Sequence, residues 1–393
     1  MKFLKDLNLA GKRVLIRADL NVPLDANLTI TDDNRIKEFL PTLKFVIEKG
    51  GRPIVMSHLG EPTGKGDPSL SLKPIARKLQ ELLKGPEVIM ANDCIGSEVE
   101  ALSTSLEPGR VLLLENLRFH SGEKNNDAAF AQKLAKLGDL FVNDAFGTAH
   151  RKHASMVGVP QLFREKAAGL LMQKEIEYYE RCLVKPKAPL AVVIGGAKLS
   201  TKLPVLLNLA QTANKVLIGG AMANTFLAAQ GIQMGRSLYE QDLIPKVFEI
   251  IATLARRECK LYLPVDFMVG PSPTAKGLGR AVPALEMPAD GMALDIGPAT
   301  NLLYREALQS AETIVWNGPM GCFENEEYAK GTTDMIESIA SSHGLKVAGG
   351  GDTDAAIHQM ELAHKFDFIS SGGGAFLVLL EGKGLPGFDA LGG

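Results

Sequence analysis

Leu190-Ala191-Val192-Val193-Ile194-Gly195-Gly196-Ala197-Lys198 is a short apolar run that breaks off into two glycines, and Val216-Leu217-Ile218-Gly219-Gly220-Ala221 echoes it. A continuous β-branched run without polar alternation reads as a strand covered on both faces, as in a parallel sheet flanked by helices. Leu345-Lys346-Val347-Ala348 ends the same way, in Gly349-Gly350. Further strands are expected near 261–263, 313–316 and 366–369. The first half repeats the pattern with polar endings, in Val14-Leu15-Ile16, Ile54-Val55-Met56, Val111-Leu112-Leu113-Leu114 and Leu140-Phe141-Val142. Between these lie helix-like stretches, 35–48 and 72–83, with apolar residues at three-to-four spacing and Gly50 or Gly85 just beyond. Alternation of strands with helices predicts a parallel α/β sheet in each half.

At 393 residues the chain has room for two or three domains of roughly 150 residues. A polar helical stretch and the segment Lys185-Pro186-Lys187-Ala188-Pro189 separate the halves and read as a linking helix and hinge. With 43 Lys and Arg against 45 Asp and Glu, the formal net charge is −2, so no overall field draws the chain to nucleic acid or an anionic membrane. Any anion must be held by a local cluster. The four cysteines, Cys94, Cys182, Cys259 and Cys322, form no Cys-x-x-Cys pair, which argues against a zinc ribbon, a thioredoxin-type motif or a disulfide framework. No apolar run approaches the ~18 residues of a membrane span, and a cytoplasmic location is expected.

In open α/β sheets ligands bind outside the carboxyl ends of the strands. The first half presents there Arg17-Ala18-Asp19-Leu20-Asn21, Ser57-His58-Leu59-Gly60, Glu115-Asn116-Leu117-Arg118-Phe119-His120, and the stretch from Asn143 through Thr148, His150 and Arg151 to His153; Arg35 opens the first helix. Four of the seven histidines, with Arg17, Arg118 and Arg151, therefore fall at strand tips, which is what a small polyanion requires of its donors. Each residue alone reads equally as a helix cap or the partner of a nearby acid; their recurrence at successive tips favours a ligand site. A zinc site at His150 and His153 is a weaker alternative, since no third ligand of matching spacing accompanies them.

In the second half the glycines let main-chain amides approach an anion, and a following helix N-terminus adds about half a positive charge. That suits phosphates, yet neither a Gly-x-x-x-x-Gly-Lys-Ser/Thr loop nor a Gly-x-Gly-x-x-Gly fingerprint is present. Asp352 and Thr353, after Gly349-Gly350-Gly351, read either as helix N-cap residues or as side chains facing Mg²⁺ and phosphate. Lys198 and Lys202 are four residues apart and are expected on one helix face, as surface lysines or aimed at a phosphoryl group. Glu324 follows Trp316-Asn317-Gly318-Pro319-Met320-Gly321-Cys322-Phe323 and is either a solvated acid beside Glu326 and Glu327 or a partner for ribose hydroxyls. Gly372-Gly373-Gly374 is another donor-rich tip or a plain flexible loop.

Together these residues resemble the phosphoglycerate kinase family along the whole chain. The matching motifs are Val14-Leu15-Ile16-Arg17-Ala18-Asp19-Leu20-Asn21-Val22-Pro23, Ser57-His58-Leu59-Gly60, Glu115-Asn116-Leu117-Arg118-Phe119, Gly147-Thr148-Ala149-His150-Arg151, Gly195-Gly196-Ala197-Lys198, Trp316-Asn317-Gly318-Pro319 with Phe323-Glu324, Gly349 to Thr353, and Ser371-Gly372-Gly373-Gly374. The resemblance implies an α/β fold of two doubly wound parallel-sheet domains, three-layered and Rossmann-like, joined by a hinge helix. Residues 1–172 would bind phosphoglycerate and be completed by 378–393, because Gly387-Phe388-Asp389-Ala390-Leu391 resembles the family's returning C-terminal segment; 173–189 would be linking helix and hinge, and 190–377 would bind nucleotide. By position, Asp19, Asn21, Arg35, His58, Leu59, Gly60, Glu61, Arg118 and Arg151 would surround 3-phosphoglycerate or 1,3-bisphosphoglycerate. Lys202, Asn317, Glu324, Gly350, Gly351, Asp352 and Thr353 would hold ADP or ATP, with Asp352 the protein's contact to Mg²⁺. Arg35, Lys198 and Lys202 would neutralise the phosphoryl group during reversible in-line transfer, and the family expectation is a monomer.

Glu61 departs from the pattern, since the family commonly has Arg there. A carboxylate facing the substrate phosphate would repel it, so either Glu61 points away or Lys65 restores the sign, and Glu61→Arg is expected to leave the substrate's KM within a few-fold. Two other classes remain open. An NAD(P)-dependent dehydrogenase would suit two α/β lobes but lacks its fingerprint, and a two-lobed solute-binding protein is usually exported.

Overall fold

The apolar runs fold as strands because helices cover both faces of each sheet. In the computed structural model, which describes residues 1–62 and 67–392, β1 (Arg13–Ala18), β2 (Arg52–Met56), β3 (Val88–Met90), β4 (Val111–Leu113), β5 (Leu140–Asp144) and β6 (Lys166–Ala168) form one parallel sheet in the order β3-β4-β2-β1-β5-β6. Val14, Leu15 and Ile16 on the central β1 are fully buried, each stabilising the core by about 1.5–3 kcal/mol relative to exposure. Expected strands coincide with β1, β2, β4 and β5; β3 and β6 were not anticipated, being three residues each at the sheet's margins.

The second half builds β7 (Leu190–Ile194), β8 (Lys215–Ile218), β9 (Lys260–Tyr262), β10 (Asp266–Gly270), β11 (Arg280–Pro283), β12 (Met292–Ile296), β13 (Thr313–Asn317), β14 (Leu345–Gly349) and β15 (Phe368–Ser370). Six of these form a second parallel sheet, β15-β14-β13-β7-β8-β9, so the two doubly wound parallel-sheet layers expected from the sequence are present. Trp316 and Tyr304 are fully buried in its core, and the Tyr304 hydroxyl donates to the Ile218 carbonyl at 2.6 Å. An antiparallel sheet, β11-β10-β12, is an addition that apolar periodicity did not reveal, because β11 is mostly exposed and β12 starts half-buried.

By internal contacts the chain divides into one unit of Met1–Ile176 with the residues from Gly384 onward, and another of Glu177–Lys383. The helix Leu170–Tyr179 carries the chain across that division. The C-terminal return starts later than residue 378, because the helix Gly374–Leu380 belongs to the second unit, where Asn208 Nδ2 donates to Leu380 O at 2.9 Å. Beyond it, Gly387 N donates to Ala149 O at 2.9 Å, and Phe388 lies 6.0 Å from Phe146, ring centre to ring centre.

Parallel pairing brings all carboxyl ends of a sheet to one edge, where chain crowding explains some of the glycines. A Cβ on Gly195 would collide with the Pro319 carbonyl and lie 2.7 Å from that of Gly318. Gly195→Ala is therefore expected to destabilise the second unit by about 1–3 kcal/mol, as an overpacked site does. Urea denaturation would show a lowered midpoint for that unit; an unchanged midpoint would contradict the crowding.

Candidate active site

The first unit's site begins at a buried arginine. Arg17, near the end of β1, is fully buried; its Nε donates to Ser155 Oγ at 2.9 Å, its Nη1 to the Ala18 carbonyl, and its Nη2 lies 3.1 Å from His58 Nδ1. A guanidinium only donates, so Nδ1 of His58 accepts and the ring proton resides on Nε2. Burial, then the charges of Arg17, Arg118, Arg151 and Arg35, hold the His58 pKa well below the usual imidazole range. His58 is thus a neutral ring with its Nε2–H unclaimed by Arg17. Ser155 passes the contact on, its Oγ donating to Glu123 Oε1 at 2.6 Å and its amide to Oε2 at 2.9 Å.

Around this pair the tips are tied by side chains rather than by sheet hydrogen bonds. Asn21 Oδ1 accepts from Gly60 N at 2.8 Å, and Asn116 Nδ2 donates to Leu59 O at 2.8 Å and to Leu70 O at 2.9 Å. Leu59 turns its side chain into the core and offers the site only backbone. Asp19 is already paired, its Oδ2 2.7 Å from Arg35 Nη1. Arg118 is 2% exposed in its side chain, and its Nη1 donates to Gly60 O at 2.7 Å and to Glu61 Oε1 at 2.6 Å. Its Nε and Nη2 are buried without a hydrogen-bond partner among the described residues. An unpartnered guanidinium edge is costly unless an oxyanion completes it, and its fork geometry matches carboxylate or phosphate.

Glu61 does not point away from these cations. One carboxylate oxygen meets Arg118 and lies 3.7 Å from Arg151 Nη1, while the other is bonded to Lys124. Lys65, the alternative source of positive charge, lies outside the described residues. The ground for expecting Glu61→Arg to leave KM nearly unchanged is therefore removed. Ser155, Glu123 and Lys124 were missed by sequence reasoning because none stands at a strand tip; only the folded chain brings them against Arg17 and Glu61.

The second unit's site is mostly backbone. Lys202, in the helix Leu199–Leu209, is bonded through Nζ to Asn317 Oδ1, and Asn317 Nδ2 donates to Gly349 O at 2.6 Å. Burial lowers the Lys202 pKa, with the Asp352 charge raising it in opposition. Gly350 caps the helix Gly351–Gln359 at φ +108°, a conformation natural to glycine, and Thr353 Oγ1 accepts from Gly318 N at 2.8 Å. Thr353 is thus neither the cap nor free of partners. Gly195 follows β7 directly, and Asn317 and Gly349 end the adjacent strands β13 and β14, so the tips of all three meet.

Three residues sit differently from expectation or stand apart. Lys198 is the residue before its helix, extended at φ −131°, ψ 123°, so it does not share a helical face with Lys202. It is exposed, and its charge acts on Glu240. Glu324 is exposed in the turn after β13, while Asp352 is exposed in the first turn of Gly351–Gln359. His150 and His153 form no metal-binding group among the described residues; the trio that could do so is Asp93, Cys94 and His120, where His120 Nε2 and Asp93 Oδ1 are already 2.5 Å apart.

The model of the family described as phosphoglycerate kinase matches residues 4–383. A phosphoglycerate kinase from Desulfotalea psychrophila is 51% identical over 391 residues, covering 100% of both chains. Among solved structures, phosphoglycerate kinase from Coxiella burnetii superposes with a TM-score of 0.91 at 39% identity, covering 99% of this chain and 98% of that one. Phosphoglycerate kinase from Pyrococcus horikoshii does so at 0.83 and 35% identity, covering 100% and 98%. With the strand tips, the fold and the relatives in agreement, the chain belongs to the phosphoglycerate kinase family, the ATP:3-phosphoglycerate 1-phosphotransferases.

Proposed function

We propose that this chain carries out the family's reaction by direct in-line transfer between 1,3-bisphosphoglycerate and ADP, the phosphoglycerate held at the tips of β1, β2, β4 and β5 and the nucleotide at those of β7, β13 and β14. The observation that carries this reading is the buried Nε and Nη2 edge of Arg118, unpartnered among the described residues, in the cluster whose burial and arginine charges also keep His58 neutral. Such an edge takes a carboxylate or phosphate in two parallel hydrogen bonds, and His58 Nε2–H adds a donor whose strength does not vary with protonation. Asp19 then serves by fixing Arg35 at its 2.7 Å ion pair, and Asn21 by fixing the Gly60 amide.

On the nucleotide side, the first amides of the helix Gly351–Gln359 are donors for phosphate oxygens. Asn317 anchors Lys202 beside the Gly349 carbonyl, placing an ammonium where charge develops on the transferring group. Asp352 is an exposed carboxylate close enough for its charge to act on Lys202, and a hard oxygen next to phosphate-binding amides suits Mg²⁺, which takes one or two carboxylates together with phosphate oxygens. When bound, Mg²⁺ supplies neutralisation of the nucleotide's phosphates. Glu324 is assigned to the ribose hydroxyls. Arg35 and Lys198 join Lys202 in neutralising the phosphoryl group, for which Lys198 must leave its exposed position near Glu240. In-line transfer needs both substrates within bonding distance, so residues 173–189 are assigned the role of a hinge that closes when both are bound. Monomeric state and cytoplasmic residence complete this reading; among the described residues no helix is long and apolar enough to cross a membrane.

The reaction is tested by ATP formation from ADP, Mg²⁺ and 1,3-bisphosphoglycerate, read through a coupled assay. Lys202→Ala should lower kcat in that assay about a hundredfold, as loss of one preorganised charge donor does; near-normal turnover would remove Lys202 from the mechanism. Because the His58 pKa is lowered in the fold, the ring stays neutral as pH falls through the ordinary value near 6.5, whereas in the unfolded chain it takes up a proton there. His58 therefore withdraws stability from the first unit on acidification. Its ring resonances should keep the neutral Nε2–H pattern at pH 6, and a titration midpoint at 6.5 would contradict the assignment. Small-angle scattering should show compaction only with phosphoglycerate and nucleotide both present; unchanged dimensions would count against hinge closure.

A further inference from the structure

Arg118, Arg151 and Lys124 all direct their charge at Glu61, which is the single carboxylate these three share among the described ion pairs. Glu61 Oε1 is 2.6 Å from Arg118 Nη1 and 3.7 Å from Arg151 Nη1, and Oε2 takes the Lys124 ammonium. The partners differ in freedom. The Arg118 side chain is 2% exposed and held by the Gly60 carbonyl at 2.7 Å, whereas Glu61 is 57% exposed. A carboxylate is also one of the two anionic groups of phosphoglycerate, so Glu61 presents the same oxygen pair to the same donors.

We propose that Glu61 is an internal anion that occupies part of the phosphoglycerate cradle and must give way to the substrate. The proposal rests on the reading that Arg118 and Arg151 hold phosphoglycerate. Its Lys124 and arginine contacts keep Glu61 ionised, lowering its pKa, so the negative charge is in place throughout the neutral range. Two consequences follow from like-charge repulsion. A ligand with one anionic group finds the cradle partly neutralised and gains little by displacing a carboxylate already bonded there. Phosphoglycerate reaches the open Nε and Nη2 edge of Arg118 as well as the donors that Glu61 releases, so it alone offsets the displacement. Glu61 thereby sets specificity: it weakens capture of free phosphate or sulfate more than it weakens the substrate. Position favours this role over that of a brace for Arg118, since Arg118 is already fixed by Gly60 and by burial, while the exposed Glu61 is the partner able to move.

Glu61→Gln keeps the shape and removes the charge. Relative to the unaltered enzyme, the variant should show a phosphoglycerate KM lowered about fivefold or more, an unchanged nucleotide KM, and competitive inhibition by inorganic sulfate at a concentration lowered by a larger factor than KM. Glu61→Asp retains the charge and should stay closer to the unaltered enzyme in all three. In parallel, sulfate should raise the thermal midpoint of the Glu61→Gln variant more than that of the unaltered protein, with no turnover needed for the measurement. A phosphoglycerate KM that is unchanged or raised in Glu61→Gln, or equal sulfate stabilisation of the two proteins, would overturn the proposal. Absence of phosphoglycerate-dependent turnover in the unaltered enzyme would instead overturn the functional reading, leaving the sulfate comparison to decide on Glu61.

Discussion

The buried guanidinium of Arg17 joins three segments that lie far apart in the chain: β1, the His58 tip after β2, and the short helix Ala154–Gly158 that carries Ser155 after β5. Removing an arginine from water costs several kcal/mol, and a partial complement of contacts would not hold it there. Ser155 and the Ala18 carbonyl accept from it, and Glu123 balances its charge through the Ser155 hydroxyl. The third nitrogen, Nη2, donates to His58 Nδ1, which fixes the tautomer of that ring. The geometry of these strand tips thus depends on one interaction, itself dependent on β1 being a central, doubly covered strand of its sheet.

In the proposed reading, the two units meet the same requirement, a place for phosphate or carboxylate oxygens, by different physical means. The first uses side-chain charge, and its electrostatics are internally compensated: Asp19 against Arg35, Glu123 behind Arg17, Glu61 against Arg118, Arg151 and Lys124. The second uses backbone amides and tight crowding of Gly195, Gly318 and Gly349, with Lys202, half-buried and bonded to Asn317, as the cation at its strand tips. The positive charge is thus local and paired, in keeping with a chain whose formal net charge is −2.

Much of this was legible in the sequence because both sheets are parallel. Doubly buried strands read as unbroken apolar runs, and chemistry collects where those runs stop, so Arg17, His58, Arg118, Asn317 and Gly350 could be located before the fold was known. What escaped was short, antiparallel or brought in from elsewhere. β11 is four residues long and mostly exposed, β3 and β6 are three residues long, and Glu123, Lys124 and Ser155 reach the cradle only through tertiary packing. The side-chain state of Glu61 was also beyond the reach of spacing, because its orientation is decided by Lys124, a residue 63 positions away. Lys198 shows the opposite error, in which a four-residue spacing suggested a shared helical face although the helix begins one residue later.

The central claim is that each substrate is held at the strand tips of its own unit, by side-chain donors in one and by backbone amides in the other. Hydrogen exchange of the intact protein, measured with 3-phosphoglycerate alone and with ADP alone, tests it most directly. Phosphoglycerate should protect amides around Ala18–Asn21, Ser57–Gly60 and Thr148–Arg151, and ADP those around Gly195–Ala197 and Gly349–Thr353. Protection of the same unit by both ligands would contradict the division of the site.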